Sequence, residues 1–179
     1  EILVTAQRRS ESQQDVPISI STVTAAAALR SGVTGTEALG ALVPSLQFSR
    51  QFGNGGAPFL RGVGTSQAVA NTESPVAVYI DDVYIGASAS TLMQFNNIQN
   101  IEVLKGPQGT LFGRNATGGV ITIHTKRPSD DPAMDLTVGG GSYGTYYGNF
   151  YATGPLTENV SGSIAATGRN QSKGYGESV

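Results

Sequence analysis

The sequence feature that most constrains the fold is an uncharged stretch of 22 residues, 136–157, which lies between Asp135 and Glu158. Its length would be sufficient for a helix that crosses a membrane. However, the stretch contains six glycines, four tyrosines and Pro155, and these residue types favour strands and turns over a helix. The stretch therefore predicts β-structure and argues against a transmembrane helix.

Apolar and polar side chains alternate in the segment that follows this stretch, residues 160–169. Val160 and Ile164 fall on one face of an extended strand, and Ser161, Ser163 and Thr167 fall on the other, because successive side chains of a strand point to opposite faces. This pattern is typical of a strand in an outer-membrane β-barrel. An amphipathic strand of a soluble β-sandwich gives the same alternation, so the pattern alone leaves both interpretations open.

The chain before residue 128 alternates short strands with short helices. The run PISIS predicts a half-buried strand, and the Ala-rich run after it predicts a helix that ends at Gly32. Thr34 and Glu37 match a capping box, which predicts a second helix that Pro44 terminates. These elements indicate an α+β domain with a small mixed β-sheet and short helices, followed by antiparallel strands.

A β-hairpin is predicted where Asp81 and Asp82 separate the apolar runs VAVYI and VYIG. Two further strands are predicted from the runs IEVLK and GVITIHTK. The run KRPSDDP, which follows them, indicates a domain boundary.

Several classes of function are disfavoured by composition. The chain has no cysteine and a single histidine, His124, which lies within a predicted strand. A zinc site or a histidine-based catalytic triad would need more ligands or partners than this. The formal net charge is −2, which argues against nucleic-acid binding as the main role. We therefore predict no catalytic residue, no metal site and no cofactor.

Five segments match one known family in the same order along the chain. They are EILVTAQRR, DVPISIS, FLRGVG, VAVYIDDVYIG and NIQNIEVLKGPQGTLFGRNATGGVITIHTKRP. Together they resemble the TonB-dependent outer-membrane receptors of Gram-negative bacteria. The resemblance implies an energy-coupling segment at residues 1–10, a plug domain at 11–128 and the incomplete start of a transmembrane β-barrel at 129–179. It also implies a location in the cell outer membrane and no enzymatic activity.

The resemblance implies that the first residues are a TonB box, which couples the receptor to the inner-membrane energy complex. The predicted TonB contacts are Glu1, Ile2, Leu3, Val4, Thr5 and Ala6. Their alternating, extended character suits strand addition onto the edge of a partner sheet. The alternative interpretation is a frayed chain terminus.

The resemblance also implies contacts between the plug and the barrel wall. Arg61 and Lys105 match positions where plugs of this family place basic side chains against glutamates of the wall. Such buried pairs would orient the plug. The residues assigned to plug–barrel contacts are Arg61, Lys105, Glu102 and Arg114. A local ion pair of Lys105 or Arg114 with Glu102 is the structural alternative.

By analogy with the family, cargo would contact three apical segments of the plug, residues 51–57, 65–74 and 86–90. The predicted substrate-facing residues are Gln51, Asn54, Thr65, Gln67, Asn71, Ser88 and Ser90. These side chains offer hydrogen bonds but no set of metal ligands, so the sequence does not identify the cargo. Iron-siderophore chelates are the commonest cargo of the family, and saccharides, cobalamin and haem are alternatives.

A soluble binding or adhesion module is the competing class of function, and an enzyme is third.

Overall fold

A computed structural model of the chain describes residues 3–4, 11–12, 16–50, 56–66, 73–87, 91–93 and 95–174. The chain divides into two compact units, Glu1–Thr125 and Lys126–Val179. This division falls slightly before the boundary predicted at residue 128. Within the part of the chain that the structure describes, no helix is long and apolar enough to cross a membrane.

The strands of the first unit are β1 (Leu3–Val4), β2 (Glu11–Ser12), β3 (Ser19–Thr24), β4 (Leu46–Arg50), β5 (Gly56–Leu60), β6 (Val76–Ile80), β7 (Val83–Tyr84), β8 (Ile98–Lys105) and β9 (Gly119–Thr125). Five of them form a mixed sheet in the order β3-β8-β9-β6-β7. The parallel pair is β6 with β9, and the other neighbours are antiparallel. Two further strand pairs, β1 with β2 and β4 with β5, are antiparallel. The helices are α1 (Ala25–Arg30), a 3-10 helix (Thr36–Ala41) and α2 (Gly109–Phe112).

Both faces of this sheet are covered. Val103 and Leu104 are neighbours on β8 and point to opposite faces, yet both are fully buried. Val103 belongs to a core cluster that includes Leu39 of the 3-10 helix, and Leu104 belongs to a second cluster that includes Phe112 of α2. The sheet is therefore the middle layer of the unit, which explains why its strands have nearly continuous apolar runs.

The predicted hairpin between β6 and β7 is present, and its two turn residues have unusual backbone angles. Asp81 has φ 45° and Asp82 has φ 68°, as the tightest hairpin turns require. The Asp81 carboxylate accepts hydrogen bonds from the backbone N–H of Thr125 at 2.8 Å and from its hydroxyl at 2.6 Å. Asp81 therefore also fixes the end of β9.

The predicted capping box at Thr34 and Glu37 is wrong. The helix in this region is a 3-10 helix whose N-cap is Gly35, with no side-chain capping bond. The reason is tertiary: the carbonyl of Thr34 accepts from the N–H of Phe95 at 2.7 Å, and the hydroxyl of Thr36 donates to the carbonyl of Thr91 at 2.8 Å. Contacts with a distant segment have replaced the local cap.

The second unit is an antiparallel sheet in the order β10-β11-β12. Its strands are β10 (Ala133–Gly141), β11 (Thr145–Thr157) and β12 (Val160–Gln171), and a short 3-10 turn, Ser142–Gly144, joins the first two. The predicted alternation is confirmed by the register, which places Met134 beside Ala152 and Ala152 beside Ile164 on one face. Met134 and Ile164 are 69% and 63% exposed, so this face has no protein partner among the described residues of the unit.

The opposite face of the second sheet is polar and holds the segment that leads into it. Lys126 forms an ion pair with Asp135 at 2.5 Å, and its ammonium lies 4.8 Å from the centroid of the Tyr151 ring. The Tyr151 hydroxyl donates to the carbonyl of Arg127 at 3.3 Å. These contacts fix residues 126–127 against β10 and β11.

Candidate functional site

Of the predicted TonB box, the structure describes Leu3 and Val4. They form strand β1 and pair with β2 in antiparallel register, Leu3 opposite Ser12 and Val4 opposite Glu11. Glu1, Ile2, Thr5 and Ala6 lie outside the described residues. The extended backbone at Leu3 and Val4 is the conformation that strand addition requires, so this role stays a prediction with compatible geometry.

Two of the predicted plug–barrel contacts, Arg61 and Lys105, lie at the same corner of the plug. Arg61 is at the tip of a tight turn between Leu60 and Val63, and its guanidinium donates to the Ser19 hydroxyl at 3.2 Å. Ser19 is the register partner of Lys105 across β3 and β8. The sheet therefore brings two cationic side chains to one end, where both could bind acidic groups.

The alternative that Glu102 pairs locally with Lys105 or Arg114 is wrong. Arg114 forms its ion pair with Glu73, with an N–O distance of 2.9 Å. Lys105 is three positions from Glu102 on β8, so the two side chains leave opposite faces of the strand.

Glu102 is instead enclosed in the plug, so it is not placed as a contact to a surrounding wall. Its side chain is 1% exposed, and its Oε1 accepts from the Asn100 amide at 3.2 Å. The Nε2 of His124 lies 4.0 Å from the same oxygen. A buried carboxylate requires such polar neighbours, because burial without them is costly.

The described ends of the three predicted cargo segments converge on one small cavity of about 20 Å³. Segment 51–57 contributes Gly56 and Ala57, segment 65–74 contributes Thr65 and Ser74, and segment 86–90 contributes Gly86. Described residues from all three segments, which are distant from one another in the sequence, therefore line the same cavity. The remaining lining residues are Pro58, Val76, Tyr84, Ile85 and Thr91.

Of the seven predicted substrate-facing residues, Thr65 is described, and it lines this cavity. Gln51, Asn54, Gln67, Asn71, Ser88 and Ser90 lie outside the described residues. Sequence reasoning did not single out Tyr84 or Thr91. Tyr84 was hidden within a predicted strand, and nothing in the local sequence distinguishes Thr91 from an ordinary loop residue.

Tyr84, which lines the cavity, is held by two side chains outside it. The amide of Asn115 donates to the hydroxyl of Tyr84 at 2.8 Å. The ring of Tyr84 packs against Tyr79, with ring centroids 5.5 Å apart. These contacts fix the position of the Tyr84 ring.

The cavity lining can hydrogen-bond and make apolar contacts, but it has no acid, base or nucleophile arranged for covalent chemistry. Among the residues that the structure describes, no group of three or more His, Cys, Asp or Glu side chains is placed to hold a metal ion.

Comparison with known proteins identifies the family. A family model described as the TonB-dependent receptor plug domain matches residues 12–120. The chain belongs to the TonB-dependent receptors. The predicted fold class, a plug with a small mixed sheet followed by the first barrel strands, is confirmed by the structure and by its structural neighbours.

The relatives include a pesticin receptor, a vitamin B12 transporter and a ferric yersiniabactin uptake receptor. The pesticin receptor of Yersinia pestis is 32% identical over 164 residues, which are 89% of this chain and 24% of that protein. The vitamin B12 transporter BtuB of Vibrio vulnificus is 29% identical over 143 residues, which are 79% of this chain and 23% of that protein. The crystal structure of the ferric yersiniabactin uptake receptor FyuA from Yersinia pestis matches with a TM-score of 0.77 at 31% identity, over 84% of this chain and 24% of that one.

The chain thus spans about a quarter of the length of these relatives. Family membership places the chain in the outer membrane of a Gram-negative bacterium, and its relatives are transport receptors, which are not enzymes. The competing interpretation as a soluble module is not supported by any of these relatives.

Proposed function

We propose that this chain is the plug and the first barrel strands of a receptor that gates energised uptake of a scarce nutrient, such as an iron-siderophore complex, across the outer membrane. The observation that carries the proposal is that the described ends of the three predicted cargo segments line one cavity of the plug. These ends come from distant parts of the sequence, and loops that a rigid scaffold brings together are common binding surfaces.

The cargo is a small molecule that brings any metal with it. The lining of the cavity includes the hydroxyl groups of Thr65 and Ser74 and the ring of Tyr84, which are polar and aromatic groups of the kind that contact an organic ligand. At about 20 Å³ the cavity has room for a water molecule only, so cargo would bind over the segments around it and not inside it. The relatives support this class, since one is named for ferric yersiniabactin and another for vitamin B12.

The partner for energy coupling is TonB, which would bind residues 1–6 by strand addition. Leu3 and Val4 already have strand geometry and pair with Glu11 and Ser12 through their backbones. A partner strand of TonB would use the same kind of backbone hydrogen bonds. Binding of cargo at the apical side and coupling at the N-terminal segment are therefore separable by mutation.

Proline substitutions test the coupling role. Leu3→Pro and Val4→Pro each remove a backbone donor and fix φ at about −65°, so uptake by the full-length receptor should fall at least about tenfold while cargo binding to whole cells is unchanged. Leu3→Ile and Val4→Ile keep the backbone donor and strand preference, and they serve as matched controls with normal uptake. Normal uptake by both proline variants would exclude residues 1–6 from coupling.

The cargo is identified by growth of a deletion strain that carries the full-length receptor. The panel contains a ferric catecholate, a ferric hydroxamate, a ferric phenolate, haem, cyanocobalamin and a maltooligosaccharide, each supplied as the limiting nutrient. We expect receptor-dependent growth on a ferric chelate. Growth on cyanocobalamin or the saccharide alone would keep the receptor role and change the cargo.

A further inference from the structure

Residues 126–131, which lead from the plug into β10, lie along the polar face of the second sheet, and we call them the strap. At the start of the strap, the Lys126 ammonium pairs with Asp135 of β10 at 2.5 Å and lies 4.8 Å from the ring centroid of Tyr151 of β11. The Tyr151 hydroxyl donates to the carbonyl of Arg127 at 3.3 Å. These contacts place the start of the strap over the Tyr151 ring, and Tyr151 is only 6% exposed.

The strap is bound to the sheet again at Ser129. The N–H of Ser129 donates to the Thr153 hydroxyl at 2.9 Å, and that hydroxyl donates to the carbonyl of Gly162 in β12 at 3.1 Å. Thr153 is two positions from Tyr151 on β11, so both side chains lie on the same face. The strap is therefore bound at two separate points, whereas one exposed ion pair alone would contribute little.

The residue that precedes the strap is held by the plug. Thr125, the last residue of β9, donates to the Asp81 carboxylate from its backbone N–H at 2.8 Å and from its hydroxyl at 2.6 Å. Thr125 and Lys126 are consecutive, yet an aspartate of the first unit binds Thr125 and an aspartate of the second unit, Asp135, binds Lys126. The chain between the two bound residues is a single peptide bond, so it contains no slack.

We propose that the strap anchors the C-terminal end of the plug to the inner face of the barrel wall and stays bound while TonB pulls on residues 1–6. Lys126, Tyr151 and Thr153 are the positioning residues of this anchor. The role rests on the proposed function, because it takes the energy for uptake to enter at the N-terminal segment. The inner face is the polar one, since the opposite face carries the exposed apolar side chains that suit a bilayer.

The physical reason is that a pull acts within a body only when another part of the body is held. An extended chain spans at most about 3.3–3.6 Å per residue, so release of residues 126–131 would add about 20 Å of slack behind residue 125. A pull would first move the end of the plug through this distance. With the strap bound, the pull acts within the plug from the start.

A cross-link in the full-length receptor tests whether the strap stays bound during uptake. The 179 residues contain no cysteine, and the N–H of Ser129 lies 2.9 Å from the Thr153 hydroxyl oxygen. Ser129→Cys combined with Thr153→Cys therefore places two thiols close enough for a disulfide, whose formation is read from the mass of the linked peptides. We expect the oxidised receptor to take up cargo at the wild-type rate, before and after reduction.

Two results of the cross-linking experiment would overturn the proposal. Uptake that stops on oxidation and returns on reduction, while the equally treated wild type is unaffected, would show that the strap must leave the sheet. Failure of the disulfide to form would show that Ser129 is not held at Thr153.

Removal of the strap contacts tests whether the anchor matters for uptake. Lys126→Met combined with Tyr151→Phe keeps the apolar stem and the ring but removes the ammonium and the hydroxyl. In the full-length receptor this release variant should raise amide exchange in residues 126–131 about tenfold. We expect it to lower the maximal rate of energised uptake about threefold, with unchanged cargo binding to whole cells. Thr167→Val is the matched control, because its hydroxyl donates to the Asn149 carbonyl oxygen at 2.6 Å on the same face without involving the strap.

Reversal of the charges separates the ion pair from general stability. Lys126→Asp places two carboxylates together and should reproduce the faster exchange and slower uptake of the release variant. Addition of Asp135→Lys restores opposite charges and should return exchange and uptake to within about twofold of the wild type. Rescue supports the anchor. Exchange that rises equally throughout the second sheet, or that is not rescued, overturns it.

Uptake of the cargo panel separates this inference from the proposed function. If the wild-type receptor takes up a member of the panel and the release variant takes it up at the same rate, the proposed function stands and the role of the strap is overturned. If the wild type takes up no member of the panel, both are overturned.

Discussion

The two units of this chain use apolar side chains in different ways. In the first unit, adjacent residues of β8 such as Val103 and Leu104 are both fully buried, because helices and loops cover both faces of the sheet. In the second unit, Leu136 and Val138 are 66% and 75% exposed, and both point to the same face. The first sheet forms its own core, whereas the apolar face of the second suits the hydrocarbon of a bilayer.

This difference shows that alternation and burial are separate properties of a strand. A strand buried on both faces carries consecutive apolar residues, and a strand in a barrel wall carries them at every second position. The comparison between Val103 and Val138 can therefore be tested with one substitution at both sites.

The largest effect is expected from replacing valine by aspartate in each unit. Val103→Asp places a carboxylate in the buried core, which should reduce the free energy of unfolding of the plug by at least about 4 kcal/mol. In the 179-residue chain in water, Val138→Asp should change the free energy of unfolding by less than about 0.5 kcal/mol. Urea unfolding of both variants, followed by circular dichroism, measures the difference.

Val138→Asp should destabilise the full-length receptor when the receptor is folded into lipid vesicles. A charge on the lipid-facing side of a barrel strand should lower stability there by about 1–2 kcal/mol. An equal effect of Val138→Asp in water and in vesicles would mean that this face packs against protein and not against lipid.

A smaller effect on the free energy of unfolding is expected from replacing glycine by alanine in each unit. Gly119 begins β9 with φ 148°, and a Cβ there would lie 2.5 Å from the carbonyl oxygen of Leu104. Backbone strain and this clash should together cost the plug about 2–4 kcal/mol. At Gly168 in β12 a Cβ would meet no atom within 4 Å, so Gly168→Ala should cost less than about 0.5 kcal/mol.

Thermal unfolding of the 179-residue chain compares these two glycine variants directly. A loss of thermal stability for Gly168→Ala as large as that for Gly119→Ala would show that the second sheet is packed on both faces. The comparison between the units would then no longer hold.

The sequence was sufficient to predict elements whose structure is local. The strands, the hairpin at Asp81 and Asp82 and the three-stranded second sheet all follow from alternation and turn chemistry. A helix does follow Thr34, but it is a 3-10 helix and its predicted capping box is wrong, because residues almost sixty positions later bind the backbone and the Thr36 hydroxyl at its start. Local pattern cannot reveal which distant segment competes for a backbone group.

The candidate site was predictable only in outline. The resemblance to the receptor family pointed to three segments, and the structure brings their described ends together around one cavity. Thr91 and Tyr84 could not be singled out, because they line the cavity together with residues that are distant in the sequence. Likewise, the partner of Arg114 is Glu73, which lies 41 positions away in the sequence.

The smallest effects concern the turns, where both units follow the same local rule. Asp82 in the plug has φ 68° and Tyr143 in the second unit has φ 61°, a region that glycine occupies without strain. Asp82→Gly and Tyr143→Gly should each stabilise their own turn by about 0.5 kcal/mol, since relief of strain exceeds the entropic cost of glycine. Hydrogen exchange of the flanking amides should show about a twofold gain in protection.

Asp81→Gly is the matched control for this turn effect. Asp81 also has positive φ, at 45°, but its carboxylate accepts two hydrogen bonds from Thr125. Loss of these bonds should outweigh the relief of strain and destabilise the end of β9 by about 1 kcal/mol. If Asp81→Gly is as stable as Asp82→Gly, the bonds from Thr125 contribute nothing, and backbone angle alone determines the stability of the turn. Lower protection in Tyr143→Gly than in the wild type would instead show that the outer turn depends on the tyrosine side chain.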